Sequence, residues 1–312
     1  MLRKILVIVL LITLLAACAP QATPATVAPG DLTAPPQTFT DGLDRQVTLE
    51  GGVASRIVSL APSNTEILFA IGAGDQVVGR DTLSDFPEEA SKVTDIGSTF
   101  EALNTELIVS LKPDLVLAAE INTPEQVKQL EDLGLTVYYL KNPTTLEGMY
   151  ENLELVAQMT GHQQEVPTLI KSLKERVAAV DEKIAPISSR PGVFYELDGT
   201  DPAKPYTAGK GTFITQLIER AGGHNIAADL EGYPQLSLEQ VVAADPAFII
   251  LGDARYGVSP ESIAERPGWE NLSAVKNGKV FPFNDDLVSR PGPRLVDALE
   301  ELAKLMRPEL FQ

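Results

Sequence analysis

The sequence predicts an α/β protein made of two lobes, each built on a mostly parallel sheet, with one long α-helix between them. Three observations predict it. Short apolar strands alternate with helical segments, the same order returns in the second half, and a stretch from His162 to Ile184 carries apolar residues at helical spacing.

From Ala19 to Gln37 the chain is rich in Ala, Pro and Thr and has no apolar period, so it reads as an extended spacer. Two alternating runs between Thr38 and Leu49 flank Asp41-Gly42, a hairpin signal. Arg56–Leu60 is a short apolar strand. Pro62-Ser63-Asn64 turns the chain, and a helix runs from Thr65 to Ile71, stopped by Gly72 and Gly74. Gln76–Gly79 is strand, Asn104–Leu111 helix, and Asp114–Ala118 a continuous apolar strand suited to a sheet covered on both faces. Pro124–Leu133 is helix, Thr136–Leu140 strand, and Leu146–Met159 a helix closed by Gly161.

In the second half Gly192–Glu196 is strand, Thr212–Ala221 helix, Ser237–Ala243 helix, Pro246–Leu251 strand and Arg294–Leu305 the last helix. The segment from Glu106 to Leu117 resembles that from Glu239 to Ile250, both running acid, helix, proline, strand. Between the halves Val166, Leu169, Ile170, Leu173, Val177 and Val180 recur at helical spacing, with Pro167 in the first turn. A helix of this length is a rod about 30–35 Å long. The expected divisions are 1–17 leader, 18–37 tether, 38–161 N-terminal lobe, 162–186 connecting helix and 187–312 C-terminal lobe.

The leader carries Arg3 and Lys4, an apolar run from Ile5 to Leu15, and Leu15-Ala16-Ala17-Cys18 with the chain's one cysteine. This is a lipobox: small residues expose the cleavage site, and the Cys18 thiol takes a lipid and becomes the mature N-terminus. The apolar run falls short of the ~20 residues a membrane span needs. The body is therefore expected outside the cytoplasm, held to the membrane by lipid.

Loss of residues 1–17 leaves 23 basic residues against 43 acidic, a net charge of −20. Such a charge argues against nucleic acid as a partner. His162 and His224 sit in no metal-ligand spacing, and without cysteine partners no structural zinc site is expected. The sequence holds no Gly-x-Ser-x-Gly elbow. Gly209-Lys210-Gly211-Thr212 lacks the upstream glycine of a phosphate loop, because Lys204 stands there. No enzyme chemistry is predicted.

Residues Arg56–Gly74, Ser84-Asp85-Phe86-Pro87, Leu111–Val116, Tyr206–Phe213 and Ala221–Asn225 together resemble the helical-backbone binding proteins that deliver cobalamin, haem and ferric siderophores to ABC importers. The resemblance spans about residues 38–308. It implies two Rossmann-like lobes joined by one helix (a class III periplasmic binding protein), a monomer that holds a macrocycle or metal chelate between the lobes. The partner it implies is a permease dimer with its ATPase. It further implies that Glu106 and Glu239 dock on that permease; the alternative from the residues alone is that each caps its own helix. Nearest is the vitamin B12-binding member, which implies a corrinoid as cargo, with a ferric siderophore or haem as the alternative. Carried over by position, the ligand residues are Phe100, Tyr206, Asp286 and Arg290. Phe100 reads equally as core, and Asp285-Asp286 as a helix-entry pair. Leu83, Ala119 and Leu287 stand where that member's pattern has rings.

Overall fold

The computed structural model describes residues 35–101 and 103–311. The leader, Cys18 and the tether as far as residue 34 lie outside the described residues. The body opens on an antiparallel hairpin, β1 (Gln37–Thr40) and β2 (Gln46–Leu49). Its turn is held by Asp41, whose Oδ1 accepts the amides of Leu43 and Arg45 at 2.9 and 3.0 Å.

The N-terminal lobe runs β3 (Ile57–Ser59), α1 (Pro62–Ala70), β4 (Val77–Arg80), α2 (Thr105–Ser110), β5 (Leu115–Ala119), α3 (Pro124–Asp132), β6 (Val137–Leu140) and α4 (Leu146–Thr160). Its sheet has the order β4-β3-β5-β6, with every pairing parallel. Helix α1 starts three residues before the sequence placed it. Pro62 is itself the first helical residue, since the fixed φ of proline suits the first turn and its missing N–H is needed by no bond there. Elsewhere side chains set the ends: Thr123 and Gln126 form a reciprocal capping box on α3, and Gly161 closes α4 at φ 82°.

Helix α5 (Val166–Ile184) joins the lobes. It is shorter than the spacing predicted, about 28 Å at 1.5 Å per residue, because His162–Glu165 belongs to the turn that ends α4. The His162 amide donates back to the Ala157 carbonyl at 2.9 Å. Val166, Ile170, Leu173, Val177, Val180 and Ile184 form its buried stripe, each worth about 1.5–3 kcal/mol. Arg176 ties α5 to the last helix through Asp297 and Glu300, and Asp181 accepts both prongs of Arg220 at 2.7 and 2.6 Å.

The C-terminal lobe runs β7 (Gly192–Glu196), α6 (Phe213–Arg220), β8 (His224–Asn225), α7 (Leu238–Ala244), β9 (Phe248–Leu251), α8 (Pro260–Ala264), α9 (Ser273–Lys276), β10 (Val280–Pro282), α10 (Asp286–Ser289) and α11 (Leu295–Met306). Its sheet, β10-β9-β7-β8, is parallel throughout and repeats the order of the first. The resemblance between the two segments reaches the backbone. Lys112 and Asp245 occupy equivalent places before a proline, and both are non-glycine residues in the left-handed region, at φ 49° and 42°.

One apolar cluster runs from α1 and α4 through the α5 stripe to α6 and α11, so the lobes share a core at the waist. The far face of each sheet has its own cluster, around Val58 and Val116 in one lobe and Phe194 and Trp269 in the other. Strand β5 is buried along its whole length for that reason.

Candidate binding cleft

In an open parallel sheet the crevice lies beyond the carboxyl ends of the strands, where connections leave in opposite directions. Both sheets turn those ends toward the lobe boundary. The start of α1 after β3 (Pro62, Ser63), the loop after β4 (Leu83, Asp85) and the end of β5 with the loop beyond it (Ala119, Ile121) form one wall of a cavity of about 260 Å³. Arg255 and Tyr256 after β9, with Asp286, Ser289 and Arg290 around α10, form the other.

Along its floor the charges alternate. Arg255 Nη1 donates to Asp286 Oδ1 at 2.9 Å, Arg290 Nη2 lies 3.1 Å from Asp286 Oδ2, and Arg290 Nη1 donates to Asp85 Oδ1 at 2.6 Å. Arg290 is buried and also reaches Glu66 Oε1 on α1 at 3.3 Å. Burial would raise the Asp85 carboxyl, but the bond and charge of Arg290 outweigh it and hold the group below its ordinary value. Every guanidinium in the cavity wall thus already has a carboxylate partner. The site therefore has no spare positive charge to offer an anion.

Asp286 and Arg290 are the two carried-over ligand residues that line the cavity. Phe100 and Tyr206 stand outside it, on loops at the carboxyl ends of the sheets. Phe100 is 71% exposed, so it is not core; its neighbour Thr99 is fixed by the β3 and β5 ends through Leu60 and Asn122. Tyr206 follows β7 and exchanges backbone bonds with Leu197 and Asp198 at 2.9 Å. Leu83 and Ala119 line the cavity, whereas Leu287 is buried in the main core. Asp285 precedes α10 without capping it; it accepts the Tyr195 hydroxyl at 2.8 Å.

Three residues of the cleft escaped the sequence reading. Tyr233, exposed beside the Tyr206 loop, has its hydroxyl pushed up by local burial and by the charges of Asp285 and, from the other lobe, Glu120. Its signal is the Gly232-Tyr233-Pro234 turn ahead of the Ser237 cap. Arg255 and Tyr256 lie on the short turn that follows a continuous apolar strand, and that placement near a strand's carboxyl end was the available clue.

Behind the cleft, Glu196 is fully buried and takes both prongs of Arg266 at 2.6 and 2.8 Å. Asp253 lies against it, with Oδ2 accepting the Gly199 amide at 2.9 Å and Oδ1 buried without a partner. Burial raises both carboxyls, Glu196 further through the adjacent Asp253. Gly199 is needed here, since a Cβ would stand 2.4 Å from both Arg266 and Glu196.

Glu106 and Glu239 lie on the outer surface, each the second residue of its helix and each exposed. The capping falls to others: Asn104 accepts the Leu107 amide, and Ser237 and Gln240 form a capping box. Glu239 is held below its ordinary value by its own amide and the Ser237 hydroxyl. Gly209-Lys210 packs on backbone, with the Lys210 amide donating to Leu230 and a Gly209 Cβ falling 2.0 Å from that residue's carbonyl oxygen, so this segment is a packing contact and no phosphate cradle. Among the described residues no cluster of His, Cys, Asp and Glu has metal-site geometry, and no helix is long and apolar enough to cross a membrane.

Two parallel-sheet lobes on one linking helix, with a cleft between their carboxyl ends, define a bilobal solute-binding protein. The chain belongs to the periplasmic binding protein family, whose profile matches residues 57–287. It is 36% identical over 282 residues to an uncharacterised ABC transporter substrate-binding lipoprotein of Bacillus subtilis, covering 89% of this chain and 87% of that one. It is 33% identical to a cobalamin-binding protein of Halobacterium salinarum, over 86% and 73% of the two chains. Among solved structures, the heme-binding protein RhuT of Roseiflexus superposes with a TM-score of 0.73 at 30% identity, covering 82% of this chain and 99% of RhuT. The protein is the extracytoplasmic substrate-binding component of an ABC transporter, with a permease and ATPase as partners and a small molecule as cargo, and is not an enzyme.

Proposed function

We propose that the chain is a lipid-anchored binding protein that captures a corrinoid between its lobes and presents it to the permease through Glu106 and Glu239. The observation that carries the choice of cargo is the balanced row Arg255, Asp286, Arg290, Asp85. A carboxylate-bearing guest such as haem, or an anionic iron chelate, needs unpaired cations. A corrinoid instead bears neutral primary amides, which donate to a carboxylate and accept from a guanidinium, and the alternating floor offers both side by side. The cobalamin-binding relative supports the same reading.

The 260 Å³ cavity lies below the ~300 Å³ from which pockets enclose whole ligands. A macrocycle therefore rests across its mouth, its side chains reaching Asp286 and Arg290 and its edge meeting Phe100, Tyr206 and Tyr233 on the rim. Lipidation at Cys18 and the tether ahead of β1 hold the body clear of the membrane. Exchange of Cys18 for Ser is expected to release the protein from the membrane fraction.

The test is a titration of the purified chain with cyanocobalamin, a ferric hydroxamate, a ferric catecholate and haemin. Binding of the corrinoid at micromolar concentration or below is expected. A response to haemin or the catecholate without one to the corrinoid overturns the choice of cargo.

A further inference from the structure

We infer that Tyr256, braced by Arg255 on the lip of the C-terminal lobe, is a specificity-determining ligand platform that stacks on the flat face of the bound molecule. The inference rests on the proposed reading only in taking a flat, conjugated guest for the cleft.

The ring is 80% exposed, although it lines the cavity wall. An aromatic side chain left bare at a cleft carries contact area with few rotamers to freeze, which makes it an economical contact surface. Its backbone is firmly placed. Tyr256 ends a short 3-10 turn, Gly252–Tyr256, which leaves the end of β9 and is closed by Gly257 at φ 96°. The start of the turn is pinned by Asp253, buried and bonded to the Gly199 amide. The Arg255 guanidinium lies 5.6 Å from the ring centroid while donating to Asp286 at 2.9 Å. One charged side chain thus joins the platform to the polar floor. The opposite wall is mixed, with the aliphatic groups of Leu83, Ala119 and Ile121 beside the polar Ser63 and Asp85, and it carries no aromatic side chain. Tyr256 is thus the one aromatic face among the residues that line the cavity, and it stands at the lip where a planar guest rests across the mouth.

The experiment compares the full chain with Tyr256→Ala and Tyr256→Phe, titrated with cyanocobalamin and with haemin, melting temperatures serving as the control for folding. The expected result is a loss of roughly ten-fold in affinity for Ala and near-parental binding for Phe, since the ring and not its hydroxyl makes the contact. Unchanged binding by Tyr256→Ala overturns the inference, as does a Phe variant as weak as Ala. If the parent takes haemin and not the corrinoid, the choice of cargo falls while the same two variants judge the platform on haemin. If neither probe binds the parent, both fall.

Discussion

Arg294 of the C-terminal lobe grips Glu66 of the N-terminal lobe with two prongs, its Nε donating to Oε2 at 2.8 Å and its Nη2 to Oε1. The Glu66 side chain is 2% exposed, and Arg290 reaches the same carboxylate from the cleft side at 3.3 Å. Arg294 also lies 4.0 Å from the centroid of the Phe86 ring. One carboxylate on α1 is thus the meeting point of two cations from the other lobe. Removing one partner of a buried pair strands the rest. Glu66→Gln is expected to cost about 3–5 kcal/mol, read as a lower urea midpoint. Adding Arg294→Met to that variant should recover part of the loss, since one stranded cation is then gone. A single Gln variant as stable as the parent would show that the pair holds nothing together.

The alternating floor gives a prediction about charge. Asp286→Asn keeps the shape of the side chain but leaves Arg255 and Arg290 with one negative partner fewer. Loss of a charged hydrogen bond of about 1.5–3 kcal/mol translates into ten-fold or weaker corrinoid binding. The freed positive charge should at the same time raise affinity for haemin. Paired titrations of both ligands check this, and parallel changes in the two affinities would refute the charge argument.

Much of the architecture was legible because its signals are local. The β5 run, the Gly161 stop, the Ser237 cap and the α5 stripe each announce themselves within a few residues, and the Lys112 and Asp245 segments revealed the doubled build. Strands β8 and β10 were missed: they span two and three residues, and their place is set by neighbours in the sheet rather than by their own pattern. The cleft was half legible. Asp286 and Arg290 came from a motif, but the partners of Arg290 in the other lobe, Asp85 and Glu66, lie 205 and 224 residues away from it along the chain. No spacing rule spans such distances. Tyr256 was hidden for another reason: an exposed tyrosine on a loop is ordinary until the opposite wall is known.

Docking through Glu106 and Glu239 predicts a separation of transport from binding. Both are exposed on the outer surface, away from the cavity wall, and neither is the cap of its helix. Glu106→Ala with Glu239→Ala should leave the ligand affinity and the melting temperature within error of the parent. Uptake by cells carrying the matching permease should collapse. Arg at both sites should do so more completely, because a surface that receives two carboxylates repels the opposite charge. Uptake that survives the double Arg exchange would remove both residues from the docking role.

The buried Glu196–Asp253 pair predicts an inverted pH dependence. Burial raises both carboxyls above their unfolded values, so the stability linked to them is fully present below about pH 4 and is lost as pH rises through the folded values. On the premise that the two acids share a proton, the otherwise partnerless Asp253 Oδ1 gains a partner. Asp253→Asn keeps the acceptor for the Gly199 amide and supplies a permanent donor toward Glu196. Arg266 then faces one carboxylate alone, and the Glu196 carboxyl loses the neighbour that raised it. The variant is expected to melt closer to the parent at pH 5 than at pH 8, and to be the more stable of the two at pH 8. Melting curves taken between pH 4 and 8 decide the matter. A difference that stays constant across that range would mean that Asp253 and Glu196 do not share a proton.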